Sequence, residues 1–188
     1  MKKGRKLTAT VLAVLAVSAT TAGALATSAD FGAAAVDETG TYALSEMLTY
    51  AIQDEYLAHA EYEEIIDTFG AARPFTNIVR AEETHIAALE PLFEQYGVSL
   101  PENTAGEYVA VPDTLIEAYQ TGVDAEVENI AMYETFLEQD LPDDVRAVFT
   151  ALEEASQNHL AAFERNADRL AGQGAGSYGG QGRQTRGR

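Results

Sequence analysis

A glutamate and a histidine three residues apart, Glu82 and His85, lie on what the surrounding pattern predicts to be the buried face of a helix. This spacing puts both side chains on one helix face, about one turn apart. A buried carboxylate is costly unless it is paired with a charge or binds a metal ion. Carboxylate and imidazole ligands together suit iron, manganese or zinc better than calcium or magnesium. Because one such pair is a weak signal, its interpretation depends on the other helices.

Four segments of the chain have apolar residues every three or four positions, as helices with one buried face do. Each apolar stripe is interrupted near its middle by residues that could bind a metal. No arginine interrupts a stripe centre, so we expect a divalent cation, and not internal ion pairs, to neutralise the buried glutamates. The predicted ligands are Glu55, Glu82, His85, Glu126 and His159.

Other residues near this layer are weaker ligand candidates. Asn129 offers a neutral oxygen on the third stripe. Glu128 lies about 200° from Glu126 around the helix, so it could help only if that helix were rotated. His59 follows Glu55 by one turn, on the flank of the first stripe.

Two tyrosines, Tyr62 and Tyr133, lie on the stripes themselves. We expect them to pack in the core, with hydrogen bonds to ligands or quenching of radicals as the alternative roles.

Prolines, glycines and aspartates mark the ends of the four segments. Proline in a first turn has no amide hydrogen to leave unpaired, and nearby aspartates favour the helix dipole. The predicted helices span residues 42–69, 74–97, 112–139 and 142–170, and no alternating strand pattern occurs. They predict an all-α, antiparallel four-helix bundle in up-down order. The connection before the third helix looks too short to cross the full length of the bundle.

The two ends of the chain differ from its middle. Residues 1–29 have a basic start, an apolar run and small residues, which is typical of a secretory signal peptide, and we expect cleavage near residues 26–35. Residues 30–41 are interpreted as a linker, and residues 171–188, rich in Gly, Gln and Arg, as a disordered tail. The apolar run is short for a membrane span. We therefore expect an exported protein, outside the cell or in the cell wall or periplasm, without a stable membrane anchor after cleavage; a retained anchor is the alternative.

The overall charge narrows the classes of partner. Asp and Glu number 30 against 12 Lys and Arg, for a formal net charge of −18, and there is no cysteine. Such a chain repels nucleic acid and attracts cations. Without cysteine there are no thiolate ligands and no disulfides. Metal ions are therefore the expected partners, and a monomer or homodimer is the expected assembly.

Several short motifs together resemble the ferritin-like superfamily, which includes ferritins and rubrerythrins. They are "EYLAHAEY" in the first helix, "FTNIVRAEETH" in the second and "SQNHLAAF" in the fourth. The chain resembles most an uncharacterised archaeal and bacterial ferritin-like domain, over about residues 42–166. The resemblance implies two metals: Glu55 and His85 would be terminal ligands on one, Glu126 and His159 would serve the other, and Glu82 would bridge them.

The fourth helix departs from the superfamily pattern. Ser156 lies three residues before His159, where the pattern has a second bridging glutamate. Three carboxylates supply −3, whereas two ferrous ions bring +4. A hydroxide, an exogenous anion or the neutral oxygen of Asn129 would have to replace the missing carboxylate. Otherwise the site would hold one metal.

The resemblance implies iron, as one or two ions, with manganese or zinc as alternatives. It further implies oxidation of ferrous iron, or reduction of peroxide or dioxygen, by a ferroxidase- or peroxidase-type oxidoreductase. No rubredoxin-like cysteine pair is present, so electrons would have to come from outside. The alternatives are a metal-binding module without turnover and a structural bundle with a polar core.

Overall fold

The computed structural model describes residues 31–176, which form four helices. These are α1 (Leu44–Phe69), α2 (Phe75–Tyr96), α3 (Leu115–Leu137) and α4 (Asp143–Gly176). Two short 3-10 turns, Gly32–Ala35 and Ala105–Glu107, complete this part of the chain, which contains no strand. The predicted all-α four-helix class is confirmed. Residues 1–29, with the predicted signal peptide, and residues 177–188 of the predicted tail lie outside the described residues.

Local signals set the helix ends, as the sequence predicted. The last turn of α1 ends at Gly70, which has a φ of 83°, and α2 ends at Gly97 in the left-handed conformation, which glycine adopts without steric cost. At the start of α3, the Thr114 hydroxyl accepts a hydrogen bond from a backbone amide of the first turn. Two helices depart from the prediction: α3 begins at Leu115, three residues after the predicted start, and α4 continues through residues 171–176 of the predicted tail.

The helix directions correct the predicted up-down order. The Tyr119 hydroxyl near the start of α3 donates to the carbonyl of Arg73, just before α2. At the other end of the bundle, the Tyr42 amide donates to the side chain of Gln139, just after α3. Helix α3 is therefore antiparallel to α1 and parallel to α2, so the connection over residues 98–114 runs the length of the bundle.

This crossing is within the reach of the connection. An extended chain advances about 3.3 Å per residue, so residues 98–114 can span about 55 Å. Helix α2 has 22 residues, which at 1.5 Å per residue gives a length of about 33 Å. The prediction was wrong because it assumed that irregular chain could not be extended enough.

Apolar side chains form two clusters, one toward each end of the bundle. The first includes Phe136 and Phe149, and the second includes Phe75 and Phe163. In the second cluster Gly122 makes room for the Phe163 ring, because a Cβ at that position would lie 2.7 Å from it. The polar layer of the four helices lies between these clusters.

The turn from α3 into α4 is fixed by Arg146. Its guanidinium donates hydrogen bonds of 2.7 Å to the carbonyls of Leu137 and Gln139. These carbonyls lie at the end of α3, where helical partners are missing. The contact thus supports the antiparallel pairing of α3 with α4.

No helix among the described residues is both long enough and apolar enough to cross a membrane. Part of the predicted linker packs against α1 and α3. This part comprises residues 31–36. This packing differs from the predicted linker.

Candidate metal centre

The polar layer brings together all five side chains predicted as ligands. They form two groups of potential ligands that share Glu82, and in each group the ligand atoms lie within 4.8 Å of one another. One group consists of Glu55, Glu82 and His85, and the other of Glu82, Glu126 and His159. All five are buried. Each helix contributes at least one of them, so the arrangement depends on the whole bundle.

The carboxylate of Glu82 is divided between the two histidines. Its Oε2 lies 2.7 Å from Nδ1 of His85, and its Oε1 lies 3.3 Å from Nδ1 of His159. A carboxylate placed in this way would give one oxygen to each of two ions, or would pair with two protonated imidazoles. The outer glutamates complete the groups: Glu55 Oε2 lies 3.0 Å from Nδ1 of His85, and Glu126 Oε1 lies 3.5 Å from Nδ1 of His159.

These distances fit the spacing of ligands around a small divalent ion. Ligands about 2.1 Å from an octahedral ion lie about 3.0 Å apart when adjacent. Around a tetrahedral ion with bonds of about 2.0–2.1 Å, the separation is about 3.4 Å. The observed nitrogen–oxygen separations of 2.7 to 3.5 Å cover both values. Ions could therefore be accommodated with small side-chain movements.

One buried nitrogen has no hydrogen-bond partner among the described residues. It is Nδ1 of His159, which lies near oxygens of Glu82 and Glu126 without the geometry of a hydrogen bond. A buried polar atom without a partner is costly. A metal ion between this nitrogen and the two carboxylates would satisfy it, so the donor set fits a metal.

The proton equilibria of the centre are strongly perturbed. Burial disfavours the charged form of His85, but hydrogen bonds to Glu55 and Glu82, and their charges, raise its pKa to about 10. Burial is likewise outweighed at His159, where Glu126 and Glu82 raise the pKa to about 9. For Glu82, burial is outweighed by the close approach of both histidines, which lowers its pKa to about 2. Burial raises the pKa of Glu55 to about 8 and also raises that of Glu126.

The two histidines therefore supply positive charge, which the prediction of a neutralising cation did not include. When they are protonated, His85 and His159 form ion pairs with the glutamates, so the layer can be neutralised without a metal. Charge neutralisation alone thus does not demand an ion. The stronger indication of a metal centre is the grouping of five ligand-capable side chains around Glu82.

Two buried tyrosines hold the outer glutamates. The Tyr133 hydroxyl donates to Glu55 Oε1 at 2.6 Å, and the Tyr62 hydroxyl donates to Glu126 Oε1 at 2.9 Å. Burial, reinforced by the nearby glutamate charges, raises the pKa of both tyrosines well above the ordinary value, so they remain neutral donors. In α1 and in α3 a glutamate precedes a tyrosine by seven residues, and the antiparallel packing pairs each tyrosine with the other helix's glutamate.

The residues beside the bridging position form a hydrogen-bond chain. The Ser156 hydroxyl donates to Asn129 Oδ1 at 2.7 Å, and Asn129 Nδ2 donates to Asp54 Oδ2, also at 2.7 Å. The amide oxygen of Asn129, considered above as a neutral ligand, accepts a hydrogen bond from Ser156. Burial raises the pKa of Asp54 to about 6.

Two weaker candidates lie outside the cluster. His59 is near the surface, between Glu63 at 3.4 Å and Glu83 at 3.7 Å. Glu128 is exposed, as expected if Glu126 faces inward.

A cavity of about 60 Å³ adjoins the centre and is lined by Glu82, Glu126 and Ser156, among others. Its lining also includes Asp54 and Glu61, which are not among the predicted site residues. Burial, with the charges of Asp54 and Glu128, raises the pKa of Glu61 to about 7. Asp54 and Glu61 each precede a stripe residue by one position. This position is a weak signal of a site residue, because so many residues of this chain are acidic.

Comparisons with known proteins agree with the fold. The crystal structure of the hypothetical protein MJ0754 from Methanococcus jannaschii DSM 2661 is similar, with a TM-score of 0.63 and 22% sequence identity. The similarity covers 72% of this chain and 86% of that one. No protein with a curated function matches significantly. Residues 45–178 match the family described as "Uncharacterized protein domain (DUF2202)". The chain therefore belongs to the DUF2202 family.

Proposed function

We propose that the protein binds two divalent transition-metal ions in this centre. Glu55 and His85 would hold one ion, Glu126 and His159 the other, and Glu82 would contribute one oxygen to each. The observation that carries the proposal is the division of the Glu82 carboxylate between the two Nδ1 atoms, at 2.7 and 3.3 Å. Each ion would then have one histidine, one outer glutamate and one oxygen of Glu82 as its ligands.

Iron is the proposed metal, with manganese or zinc as alternatives. Mixed carboxylate and imidazole donors suit all three. The resemblance to the ferritin-like superfamily favours iron, and the helix order supports that resemblance, because ferritin-like bundles contain one long crossover connection. The connection between α2 and α3 is of this kind.

The proposed role is redox handling of iron, peroxide or dioxygen. Iron would supply the capacity to exchange electrons with a small oxidant. The chain would contribute carboxylates fixed by Tyr62 and Tyr133, a position beside Ser156 without a carboxylate, and apolar clusters that limit water. The adjoining cavity of about 60 Å³ suits a molecule the size of water or peroxide. The character of residues 1–29 supports a place of action outside the cytoplasmic membrane.

A structural bundle without metal is the second candidate. The observation in its favour is that protonated His85 and His159 can neutralise the glutamates by themselves. The two candidates differ in whether ions bind in stoichiometric amounts.

The first experiment is a count of metal ions per chain after anaerobic loading with ferrous iron. We expect two in the wild type and fewer in His85→Ala and His159→Ala. His59→Ala is the matched control and should retain two, because His59 lies outside the cluster. One ion in the wild type, rising to two in Ser156→Glu, would indicate an incomplete site with a mononuclear role. If the wild type bound no ion, the result would support the second candidate, a structural bundle without metal.

A second experiment separates redox handling from passive binding. The iron-loaded protein is mixed with peroxide or with dioxygen, and iron oxidation is followed optically over repeated additions of ferrous iron. Repeated turnover supports the oxidoreductase. Tight binding of ions without faster oxidation than in His159→Ala would favour a binding module.

A further inference from the structure

The cavity beside the metal centre is bounded in part by residues that precede the bundle. Phe31 and Ala34 contribute to its lining together with Glu82, Glu126 and Ser156. The segment of residues 31–36, here called the strap, lies against both α1 and α3. These two helices supply most of the remaining lining. Without the strap, the groove between α1 and α3 would open toward the centre.

The strap is anchored by an aromatic ring and by backbone hydrogen bonds. The Phe31 ring is only 4% exposed and stacks on Tyr108, with ring centres 4.5 Å apart. The Ala33 amide donates to Asp54 Oδ1 at 2.8 Å, and the Gly32 amide donates to Gln53 Oε1 at 3.4 Å. The strap is therefore tied to α1 close to the position of Glu55.

Gly32 is needed for this close approach. Its φ of 60° lies in the left-handed region, and a Cβ there would lie 2.6 Å from Asp54 Oδ1 and 3.0 Å from Asp54 Cα. Since the Cα belongs to the helix backbone, it cannot move aside as a flexible side chain would. A larger residue at position 32 would therefore displace either the strap or the Asp54 carboxylate that holds it.

Asp54 links the strap to the bridging side of the centre. Its Oδ1 holds Ala33, and its Oδ2 accepts from Asn129, whose amide oxygen accepts from Ser156. Asp54 is thus a positioning residue, because it contacts both the strap and the side chains next to the metal centre.

We propose that the strap partly closes the cavity and restricts the metal centre to ions and ligands of about the size of water or peroxide. The proposal rests on the metal centre described under Proposed function and adds the element that determines which molecules reach it. Displacement of the strap should speed exchange of the bound ions without changing their number.

The test compares strap variants of the full chain after loading with Zn²⁺. The rate of Zn²⁺ removal by EDTA reports access to the centre, and amide hydrogen exchange of the strap reports its displacement. Gly32→Ala and Phe31→Ala are the strap variants. Gly97→Ala is the matched control, because Gly97 has a similar φ of 65° but no atom within 4 Å of an added Cβ.

We expect Gly32→Ala to raise both strap exchange and Zn²⁺ removal by about tenfold, corresponding to about 1.4 kcal/mol. Phe31→Ala should change both in the same direction, and Gly97→Ala should stay within about twofold of the wild type by the same scale. All variants should bind as many ions as the wild type. Faster strap exchange with unchanged Zn²⁺ removal would overturn the closure. Unchanged strap exchange in both variants would also overturn it, because the named contacts would then not hold the strap.

Failure of the metal centre itself would be recognised separately. If the wild type bound no Zn²⁺, access would be measured in the metal-free chain by hydroxyl-radical labelling, which oxidises histidine side chains in either protonation state according to their access to solvent. The chain has three histidines, and partly exposed His59 serves as the internal reference. Gly32→Ala should increase labelling of His85 and His159 relative to His59. An unchanged ratio would overturn the closure.

Discussion

Replacement of Tyr133 by phenylalanine should weaken binding of one metal ion more than the other. The substitution removes only the hydroxyl that donates to Glu55 Oε1 at 2.6 Å, in a position with no solvent exposure. A hydrogen bond to a charged group contributes about 1.5–3 kcal/mol, or about 10- to 150-fold in affinity. Loss of a partner that orients a metal ligand has effects of the same size.

The assay is anaerobic titration calorimetry with ferrous iron, together with thermal unfolding of the metal-free protein. Tyr62→Phe is the companion variant, because Tyr62 holds Glu126 in the same way. We expect two binding steps in the wild type, with a different step weakened in each variant. Tyr96→Phe is the control: it removes a hydrogen bond to Asp144, outside the centre, and should leave both steps unchanged. Two unchanged binding constants in Tyr133→Phe would refute the assignment of Glu55 as a ligand oriented by Tyr133.

Three further predictions concern stability. Gly122→Ala should lower the unfolding temperature, because overpacking against the Phe163 ring costs about 1–3 kcal/mol, more than the about 0.5–1 kcal/mol that alanine gains in a helix. Arg146→Met should destabilise the fold by about 1–3 kcal/mol through loss of the hydrogen bonds at the end of α3, as urea unfolding would measure. The metal-free protein should lose stability as pH rises from about 6.5 to 10, because the pKa values of His85 and His159 are raised to about 10 and 9 on folding.

The sign of the pH effect follows from proton binding. A group whose pKa is higher in the folded state stabilises the fold fully below its unfolded pKa, and this contribution disappears as pH passes the folded value. Glu55, with a pKa raised to about 8, acts in the same direction. Metal affinity should change oppositely, because ions compete with protons for these ligands. Thermal unfolding between pH 6 and 10, with and without Zn²⁺, would check both trends; a metal-free protein that became more stable at high pH would contradict them.

Each stability variant has a diagnostic control. For Gly122→Ala, the same exchange at Gly106, where an added Cβ has no atom within 4 Å, should have little effect. For Arg146→Met, the substitution Arg146→Lys keeps the charge but not the two-pronged geometry, and should restore only part of the lost stability. Equal stability of Arg146→Met and the wild type would show that the carbonyls of α3 need no partner.

The sequence by itself determined the helices and the face that each one buries. Caps, prolines and glycines act within a few residues, so the ends at Gly70 and Gly97 were readable from local chemistry. The side-chain period of a helix likewise fixes which residues share a face, which is why Glu55, Glu82 and His85 could be selected as inward-facing. The helix ends and the buried faces can therefore be predicted for each helix without knowing how the helices pack.

Only the tertiary structure decided how the helices run and which side chains meet. The antiparallel α1 and α3 pair Tyr133 with Glu55 and Tyr62 with Glu126, and no local pattern distinguishes these bonds from ordinary core packing. The packing of residues 31–36 on Asp54 was likewise unreadable, since one phenylalanine before a helix does not indicate its docking site. Such contacts depend on distances across the bundle, whereas sequence periodicity reports only the direction of a side chain from its own helix.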